Sequence, residues 1–466
     1  MTATRDCQMA TQAGALQLYA PGPEVPDILS DLYAEPDWMR EARHAAWAQY
    51  RELPLPPLAA EAWRRTPIAR YPWDSLRVGI SGPEFQSLSD LPLCWHNNLS
   101  PEDQVSGTLV HCNGVRAYAA MRREDAANGV VFEGLHRALN THGEIVRRYW
   151  QNGVSSSDFD KFTALNAALW HGGTFLYVPE GVRVSRPLQS LVSCDGESGS
   201  TLHHTLIIAE KGSHVTLIQD RVSQERQSEL NVEVVEIYAE AGAWVRYISL
   251  QHWGMQRYSV SVQNVQLKQD ANLVWLNGAL GGKMSKDFLR TTLVEEGARA
   301  LMHGFTYAVD HQHIDQSTYQ HHCAPNTHSD LLFRTVLRDA ARTVFYGMIR
   351  AEREAVAMEG YQANHNLLLS REEGAERAHA HAIPGLEILC DDVKCSHGAT
   401  LSRINPEQLF YLQGRGLPRE EAERLIVQGF MRSIIERIPL ALMRENLEAE
   451  IAERFWMKAA PATPLG

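Results

Sequence analysis

The chain has 466 residues, of which 44% are hydrophobic, and it carries a formal net charge of −12. This acidic balance argues against non-specific binding to nucleic acid or to an anionic membrane surface. The longest apolar runs are too short to span a bilayer, and the first residues lack the apolar segment of a secretory signal. The seven cysteines are thinly spread without a Cys-x-x-Cys spacing, so we expect reduced thiols and a cytoplasmic protein.

The first part of the chain predicts helices that follow a flexible tail at 1–26. Apolar spacing favours a helix at 36–50, which a proline-rich stretch then ends. A second helical pattern runs over 132–150, and Asp158 can cap a third helix with a strongly apolar face. We therefore expect 27–170 to form a mixed, largely helical N-terminal region.

From residue 171 the sequence changes to short apolar or alternating segments that are typical of β-strands. The predicted strands include 205–209, 215–218, 232–238, 244–250, 259–267 and 273–276. Between strands, an acidic residue followed by small residues recurs at 210–213, 240–243, 270–272, 296–298, 339–341 and 373–375. Such quasi-repeats are typical of a solenoid, in which each unit buries its apolar face by stacking on the next.

These patterns predict a mainly β fold, with a β-solenoid core at 171–404 between helical regions. A β-sandwich or a cupin-like barrel is the alternative, but the numerous repeats need no closing strand and favour the solenoid. Asn405 and Pro406 provide the cap and first turn of a helix, and further helical patterns follow. We expect 405–466 to be a C-terminal helical domain, and we expect the solenoid to offer strand edges to a partner.

The stretch at 386–410 combines a strand, a polar turn, a Cys-x-His pair and a helix start. Residues 386–389 are apolar and follow Pro384-Gly385, so they predict a short strand between turns. Cys395 and His397 are two residues apart and project from the same face of an extended chain. This pair suits zinc, copper or iron. The alternative is a small buried side chain beside a hydrogen-bonded histidine.

A second group of candidate ligands lies between residues 303 and 328. His311-x-His313 would place two imidazoles on one strand face, which suits a cupin-type or zinc site. A polar strand face is the simpler interpretation, since the spacing matches no regular ligand motif. A weaker pair is His379-x-His381. The whole group comprises His303, His311, His313, His321, His322, Cys323 and His328.

No catalytic or nucleotide-binding motif is present in the sequence. The closest match to a phosphate loop, at 278–284, has Asn277 where glycine is needed and Met284 where serine or threonine is needed. Neither a nucleophile elbow nor a dinucleotide fingerprint occurs. We therefore expect a chain that binds no nucleotide and catalyses no reaction by itself.

The segment DDVKCSHGAT at 391–400 resembles the SufB/SufD family of iron–sulfur cluster assembly proteins. Supporting similarity extends over 160–188, 297–349 and 364–370, and Trp63-Arg64-Arg65-Thr66 resembles an N-terminal element of the family. SufB-type chains carry a GDxCGA-like cysteine motif, and they have EHEAT where this chain has the CSHGAT of the quoted segment. The chain therefore resembles the SufD type.

The resemblance implies a right-handed parallel β-helix and a complex with a SufB-like subunit and a SufC-like ATPase. It implies a transient Fe–S cluster at the SufB–SufD interface, with His397 opposite a SufB cysteine and Cys395 close by. Pairing with SufB would use the β-helix edge, and two copies of the isolated chain could pair in the same way. The ATPase would dock on the C-terminal helices, around Pro406, Phe410, Tyr411, Arg415, Gly416, Pro418 and Phe430.

Flavin binding, two cysteines and two alternative functions are considered beside this resemblance. Flavin binding is associated with the family's complex, but no motif for it is recognisable in this chain. Cys323 and Cys390 depart from the family pattern, and we expect both to be buried and inert rather than additional ligands. Two alternatives to the assembly scaffold are a stand-alone metalloenzyme that uses His311 and His313, and a purely architectural solenoid in which His397 is buried and hydrogen-bonded.

Overall fold

Two large β-sheets form the body of the protein, which the computed structural model describes over 17–79, 82–150, 160–194, 199–223, 228–369 and 378–456. The strands in chain order are β1 (Leu18–Tyr19), β2 (Val78–Gly79), β3 (Gly107–Cys112), β4 (Val115–Met121), β5 (Val131–Gly134), β6 (Gly172–Val178), β7 (Leu188–Cys194), β8 (Leu202–Ala209), β9 (His214–Ser223), β10 (Leu230–Ala239), β11 (Trp244–His252), β12 (Tyr258–Leu267), β13 (Asn272–Ala279), β14 (Met284–Leu293), β15 (Arg299–Ala308), β16 (His313–His322), β17 (His328–Arg338), β18 (Arg342–Ala351), β19 (Met358–Leu369), β20 (His379–Ile388) and β21 (Val393–Arg403).

Helices precede and follow these sheets. They are α1 (Val25–Leu32), α2 (Asp37–Glu52), α3 (Leu93–His96), α4 (Arg123–Ala127), α5 (Leu135–Thr141), α6 (Gly143–Trp150), α7 (Lys161–Leu169), α8 (Pro406–Gly414), α9 (Arg419–Ile435) and α10 (Ala441–Trp456). Within the described ranges, no helix combines the length and the apolar character that crossing a bilayer would require.

From β6 onward the chain winds as a parallel solenoid. Even-numbered strands β6 to β20 pair in parallel in a nine-stranded sheet, and odd-numbered strands β7 to β21 pair in parallel in a ten-stranded sheet. The predicted mainly β solenoid with flanking helices is confirmed, and the predicted strands between 205 and 276 lie within β8 to β13. The sandwich and barrel alternatives are wrong because each strand pairs with the strand two positions further along the chain.

The repeated turns explain the regular winding. In the turns that the structure describes, one residue adopts a positive φ, which favours glycine or a short polar side chain. The predicted turn at 373–375 lies outside the described residues. The positive-φ residues of the other repeat turns are Gly212 (63°), Gly242 (68°), Asp270 (53°), Gly297 (75°) and Asp339 (58°).

The inward faces of the two sheets form the main core. Inward side chains stack in columns from one turn to the next, as Val215, Val245, Leu273 and Ala300 do in the ten-stranded sheet. These four residues belong to one buried apolar cluster that follows the interior of the solenoid. Each turn thus buries its apolar face against the adjacent turn.

The N-terminal region differs from the expectation in three places. Strand β1 and the start of α1 lie within the stretch predicted as a flexible tail, of which 1–16 falls outside the described residues. The predicted helix at 132–150 is instead β5 followed by α5 and α6, because β5 pairs with β6. Asp158 also lies outside the described residues, and the Asp160 carboxylate caps α7 by accepting two backbone N–H groups at 2.9 Å.

The C-terminal helices pack on the outer face of the ten-stranded sheet. The apolar residues Val427, Met431 and Ile435 of α9 join a buried cluster with Ile248 and Val336 of that sheet. As predicted, Asn405 caps α8, and its side-chain oxygen accepts the Glu407 backbone N–H at 2.8 Å. The helices therefore contact the same sheet that ends in β21.

The turn predicted at Pro384-Gly385 is wrong. Both residues lie within β20, where Pro384 pairs with Gly347 and Gly385 with Met348. β20 is the last strand of its sheet, and proline is tolerated in edge strands because its missing N–H removes no bond from a central ladder.

Candidate functional site

The C-terminal end of the solenoid is uncovered. In the part of the chain that the structure describes, β20 pairs only with β18 and β21 pairs only with β19. Leu386, Leu389 and Leu401 are large apolar residues that are exposed at this end. We name this end, formed by β20 and β21, the open end of the solenoid.

Cys395 and His397 extend two inward columns to the open end. Gln362 pairs with His397 in the register of β19 and β21, and Leu331 pairs with Gln362 one turn earlier. Gly360 likewise pairs with Cys395. Leu331 belongs to the buried core, so the column that leads to His397 faces the interior of the solenoid. Cys395 is two residues earlier in the same strand and therefore faces the same way, which confirms the predicted shared face.

The two candidate ligands differ in their surroundings. His397 is exposed because none of the described residues forms a further turn over it, so the hypothesis of a His397 buried within this chain is wrong. Cys395 is half-buried, and its Sγ atom lies 3.3 Å from Met358 Sδ. Burial raises the pKa of the Cys395 thiol, so in the isolated chain this group is protonated at neutral pH. A metal would have to displace that proton.

Cys390, like Cys395, packs against a small buried apolar cluster that includes Ala355 and Met358. The cysteine is half-buried, its Sγ atom is 3.5 Å from the Ala355 carbonyl oxygen, and burial together with neighbouring carboxylates raises its pKa. The expected full burial of Cys390 is therefore wrong, whereas a protonated thiol agrees with the expected inertness.

The second predicted site does not form. His311 lies in an exposed turn, and His313 is buried in β16 with Nε2 3.1 Å from Thr66 Oγ1, so the two do not share a strand face. Burial lowers the pKa of His313 to about 4. Across the described residues, no group of three or more histidine, cysteine or acidic side chains could hold a metal ion. A stand-alone metalloenzyme is therefore not favoured.

Cys323 is the remaining secondary candidate. Its Sγ atom lies 3.6 Å from His321 Nε2, and the same nitrogen lies 2.8 Å from Glu352 Oε1. The cysteine is half-buried, not buried as expected, and burial, with a contribution from Glu352, raises its pKa to about 11. A thiol with this pKa is a poor nucleophile and a poor metal ligand.

The residues predicted to dock an ATPase lie on the exposed side of the C-terminal helices. Phe410 and Tyr411 of α8 are 78% and 59% exposed, and the Arg415 guanidinium lies over the Tyr411 ring at 5.3 Å. Pro406, Gly416 and Pro418 are exposed as well. Phe430 differs because it is half-buried beneath the Arg334 guanidinium, 5.1 Å from its ring.

Gln362 is a candidate functional residue that no sequence motif indicates. This residue is buried in β19 directly before His397 in its column, and neither polar atom of its amide has a hydrogen-bond partner among the described residues. One sequence pattern could have drawn attention to this residue. The inward face of a solenoid strand should be apolar, but here every second residue is polar: Gln362, Asn364 and Asn366.

Comparisons with known proteins agree with this architecture. Residues 192–430 match the family model for the SUF system FeS cluster assembly, SufBD core domain, and 30–190 match the SufBD protein N-terminal region. The chain is 28% identical over 426 residues to the iron-sulfur cluster assembly protein SufB of Bacillus subtilis, which covers 90% of this chain and 89% of that protein.

Two further relatives are iron-sulfur cluster assembly SufBD family proteins from staphylococci. The one from Staphylococcus saprophyticus is 27% identical over 422 residues, and the one from Staphylococcus aureus strain MRSA252 is 26% identical over 422 residues. Each alignment covers 88% of both chains. The core match alone extends over more than half of the sequence. The protein belongs to the SufBD family of the SUF system for Fe–S cluster assembly.

Proposed function

We propose that this chain is the SufD-type scaffold subunit of a SUF assembly complex. In this proposal a SufB-like subunit pairs with the open end of the solenoid, and a nascent Fe–S cluster forms between the two chains as their cargo. The observation that carries the proposal is the pair of soft ligands, Cys395 and His397, on inward columns that end without a covering turn.

An incomplete ligand set is consistent with this role. One imidazole and one thiol cannot complete a tetrahedral site, so a thiolate or carboxylate of the partner has to supply the remaining ligands. A site shared between two chains opens when the chains move apart. Such lability suits a scaffold that transfers its cluster to an acceptor.

The C-terminal helices provide a route for an ATP-dependent movement. We infer that 405–466 is the docking part for a SufC-like ATPase, with Phe410 and Tyr411 as its exposed apolar contacts. The Arg334 guanidinium donates to the Phe430 carbonyl oxygen at 2.5 Å, which ties α9 to β17. A displacement of the helices therefore acts on the sheet that carries His397.

The proposal assigns no catalytic residue to this chain. ATP hydrolysis belongs to the ATPase partner, and we assign neither nucleotide nor flavin to any residue described here. The complex would work in the cytoplasm. The solenoid supplies a rigid support and one half of the cluster site.

The test is anaerobic reconstitution of the complex from this chain, a SufB-like subunit and a SufC-like ATPase, with iron, a sulfide donor and ATP. Cluster formation is followed by its charge-transfer absorbance, and the integrity of the complex by size exclusion. We expect His397→Ala to lose the cluster while the complex stays intact. The matched control is His379→Ala, which removes an exposed histidine of β20 that lies outside the two columns.

The opposite outcome supports a different function. If His397→Ala forms as much cluster as the wild-type chain, the histidine is not a ligand. The chain would then be an architectural partner whose solenoid only holds the other subunits together.

A further inference from the structure

Gln362 has a buried side-chain amide that makes no hydrogen bond to the residues the structure describes. The residue is 3% exposed, and both Nε2 and Oε1 lack a partner among the described residues. Leaving a buried polar group without a hydrogen-bond partner destabilises the folded state. A group of this kind is retained where a ligand, water or another chain satisfies it in the working state.

The surrounding structure makes room for this amide. Gly347 of the facing strand β18 approaches the Gln362 side chain so closely that a Cβ atom at 347 would lie 2.2 Å from Nε2. Gly347 pairs with Pro384 in β20, so the amide occupies the interior immediately below the open end. Any larger residue at 347 would displace it.

The polar interior further from the open end is organised differently. There the Arg221 guanidinium donates to Glu233 at 2.8 Å and to the Tyr247 hydroxyl at 3.1 Å. The Tyr247 hydroxyl in turn donates to Gln219 Oε1 at 2.7 Å. These side chains satisfy one another, whereas the Gln362 amide, in the same column as Tyr247, has no such partner.

His397 is the adjacent member of the same column. Neighbouring strands lie about 4.8 Å apart, so inward side chains on adjacent turns are within hydrogen-bonding reach. A histidine that binds a metal almost always donates its second ring N–H to a fixed acceptor, which selects the tautomer and orients the ring. Gln362 Oε1 is a neutral acceptor one turn before His397 in the same column.

We propose that Gln362 is the positioning residue for His397: its side-chain oxygen accepts the N–H of one imidazole nitrogen, so the other nitrogen presents its lone pair to iron. This inference rests on the proposed role of His397 as a cluster ligand. Gln362 does not touch the cluster, and the contact forms when a partner covers the open end and orders the exposed ring.

Two substitutions separate the acceptor from the shape of the residue. Gln362→Leu removes the acceptor and keeps a similar volume, whereas Gln362→Glu keeps an oxygen that can accept the same N–H. The control is Gln263→Leu, because Gln263 is another buried amide whose oxygen has no partner among the described residues. It pairs with Val235 and Leu289 in the nine-stranded sheet, away from the open end.

The experiment uses the reconstituted complete complex and measures the cluster that remains after a chelator challenge. Loss of a residue that orients a metal ligand typically weakens metal binding 10–100-fold. We expect a loss of about this size for Gln362→Leu with the complex intact, retention by Gln362→Glu, and no change for Gln263→Leu. The melting temperature of Gln362→Leu should be unchanged or higher, since an unsatisfied amide is replaced by an apolar group.

A third variant displaces the amide without removing it. Gly347→Ala places a methyl group where the Gln362 amide lies, so we expect it to weaken cluster retention although Gln362 is present. Full retention by both Gln362→Leu and Gly347→Ala would overturn the inference. Equal losses for Gln362→Leu and Gln362→Glu would do so as well, because the acceptor oxygen would then have no role.

The outcomes distinguish this inference from the function on which it rests. If His397→Ala loses the cluster and Gln362→Leu keeps it, only the positioning role is wrong. If His397→Ala keeps the cluster, the proposed ligand is wrong and the role of Gln362 is wrong with it.

Discussion

His252 Nδ1 lies 2.7 Å from Glu450 Oε2, and this contact joins strand β11 of the solenoid to helix α10. Asp220 Oδ1 lies 3.5 Å from Nε2 on the other side of the ring. Burial alone would lower the pKa of His252, but the two carboxylates outweigh it and raise that pKa to about 9. The imidazolium therefore holds α10 on the sheet at neutral pH.

Replacement of Glu450 by glutamine should release α10. The change leaves His252 without its closest counter-charge, and losing a part-buried hydrogen bond between charged groups costs about 1.5–3 kcal/mol. Because folding raises the pKa of His252, its ion pair stabilises the folded state fully below about pH 6.5. This contribution to the free energy of unfolding is lost as the pH rises through about 9. We expect faster proteolysis within α10 in Glu450→Gln at pH 7, and in the wild-type chain at pH 10. Glu445→Gln, on the exposed face of α10, is the control and should match wild type.

The buried pair of Glu35 and Arg43 should dominate the stability of the N-terminal helices. Arg43 Nη2 lies 2.7 Å from Glu35 Oε1, and both side chains are completely buried. Arg43→Ala leaves a buried carboxylate without its partner, which costs about 3–5 kcal/mol. Arg40→Ala removes surface contacts with Asp27 and Asp31 and should cost less than about 1 kcal/mol. Urea unfolding monitored by tryptophan fluorescence measures both, and similar losses would contradict the prediction.

Acid should destabilise the fold through four histidines whose pKa is lowered to about 3 or 4 by burial. They are His111, His136, His171 and His322. In the unfolded chain these rings bind a proton below about pH 6.5. In the folded chain they stay neutral until a lower pH, so the free energy of unfolding falls by up to about 1.4 kcal/mol per pH unit for each ring over that interval. Glu229 and Asp287, whose pKa burial raises to about 7, oppose this effect.

Urea unfolding at pH 7.5 and at pH 5.5 tests this effect. We expect a lower free energy of unfolding at pH 5.5, and a smaller difference between the two pH values in His322→Gln. Glutamine does not titrate and can still bond to Thr327 and Ser329, each of which lies 2.8 Å from the histidine ring. The exposed His379→Gln serves as the control. An unchanged difference in His322→Gln would show that His322 does not take part.

The exposed surface of α8 should bind the ATPase without contributing to stability. Phe410→Asp and Tyr411→Asp place a charge on residues that are largely exposed, so the melting temperature should stay the same. Binding of a SufC-like ATPase, measured by titration, should fall at least tenfold. Leu401→Asp changes an apolar residue at the open end and should weaken pairing with a SufB-like subunit instead. Undiminished ATPase binding by both α8 variants would exclude this surface.

Local patterns were sufficient to predict the solenoid. Alternating apolar residues identify strands because inward side chains recur at every second position. The repeat turns were recognisable because a positive φ restricts the choice of residue, as at Gly212 and Asp270. The shared face of Cys395 and His397 followed from the same alternation, and β21 is the strand that confirms it.

Features that depend on distant parts of the chain were not predictable. His313 is enclosed because Thr66, which is 247 positions earlier, packs against it, and no local pattern encodes that contact. Pro384 lies within a strand because β20 is an edge, which depends on the winding ending there. The unsatisfied amide of Gln362 emerges only when register and burial are known together.

The two ends of the solenoid are unequal, and this has a consequence for assembly. At the first end the sheets finish in short strands that run antiparallel to their neighbours, β4 on β3 and β5 on β6. At the other end, β20 and β21 are parallel edge strands, each with one backbone edge left unpaired by the residues that the structure describes. Filaments require complementary head and tail surfaces on every copy, whereas an interface that uses the same end of both partners closes on itself. In the proposed complex, pairing that uses the open end of both partners is therefore closed and does not propagate into a filament.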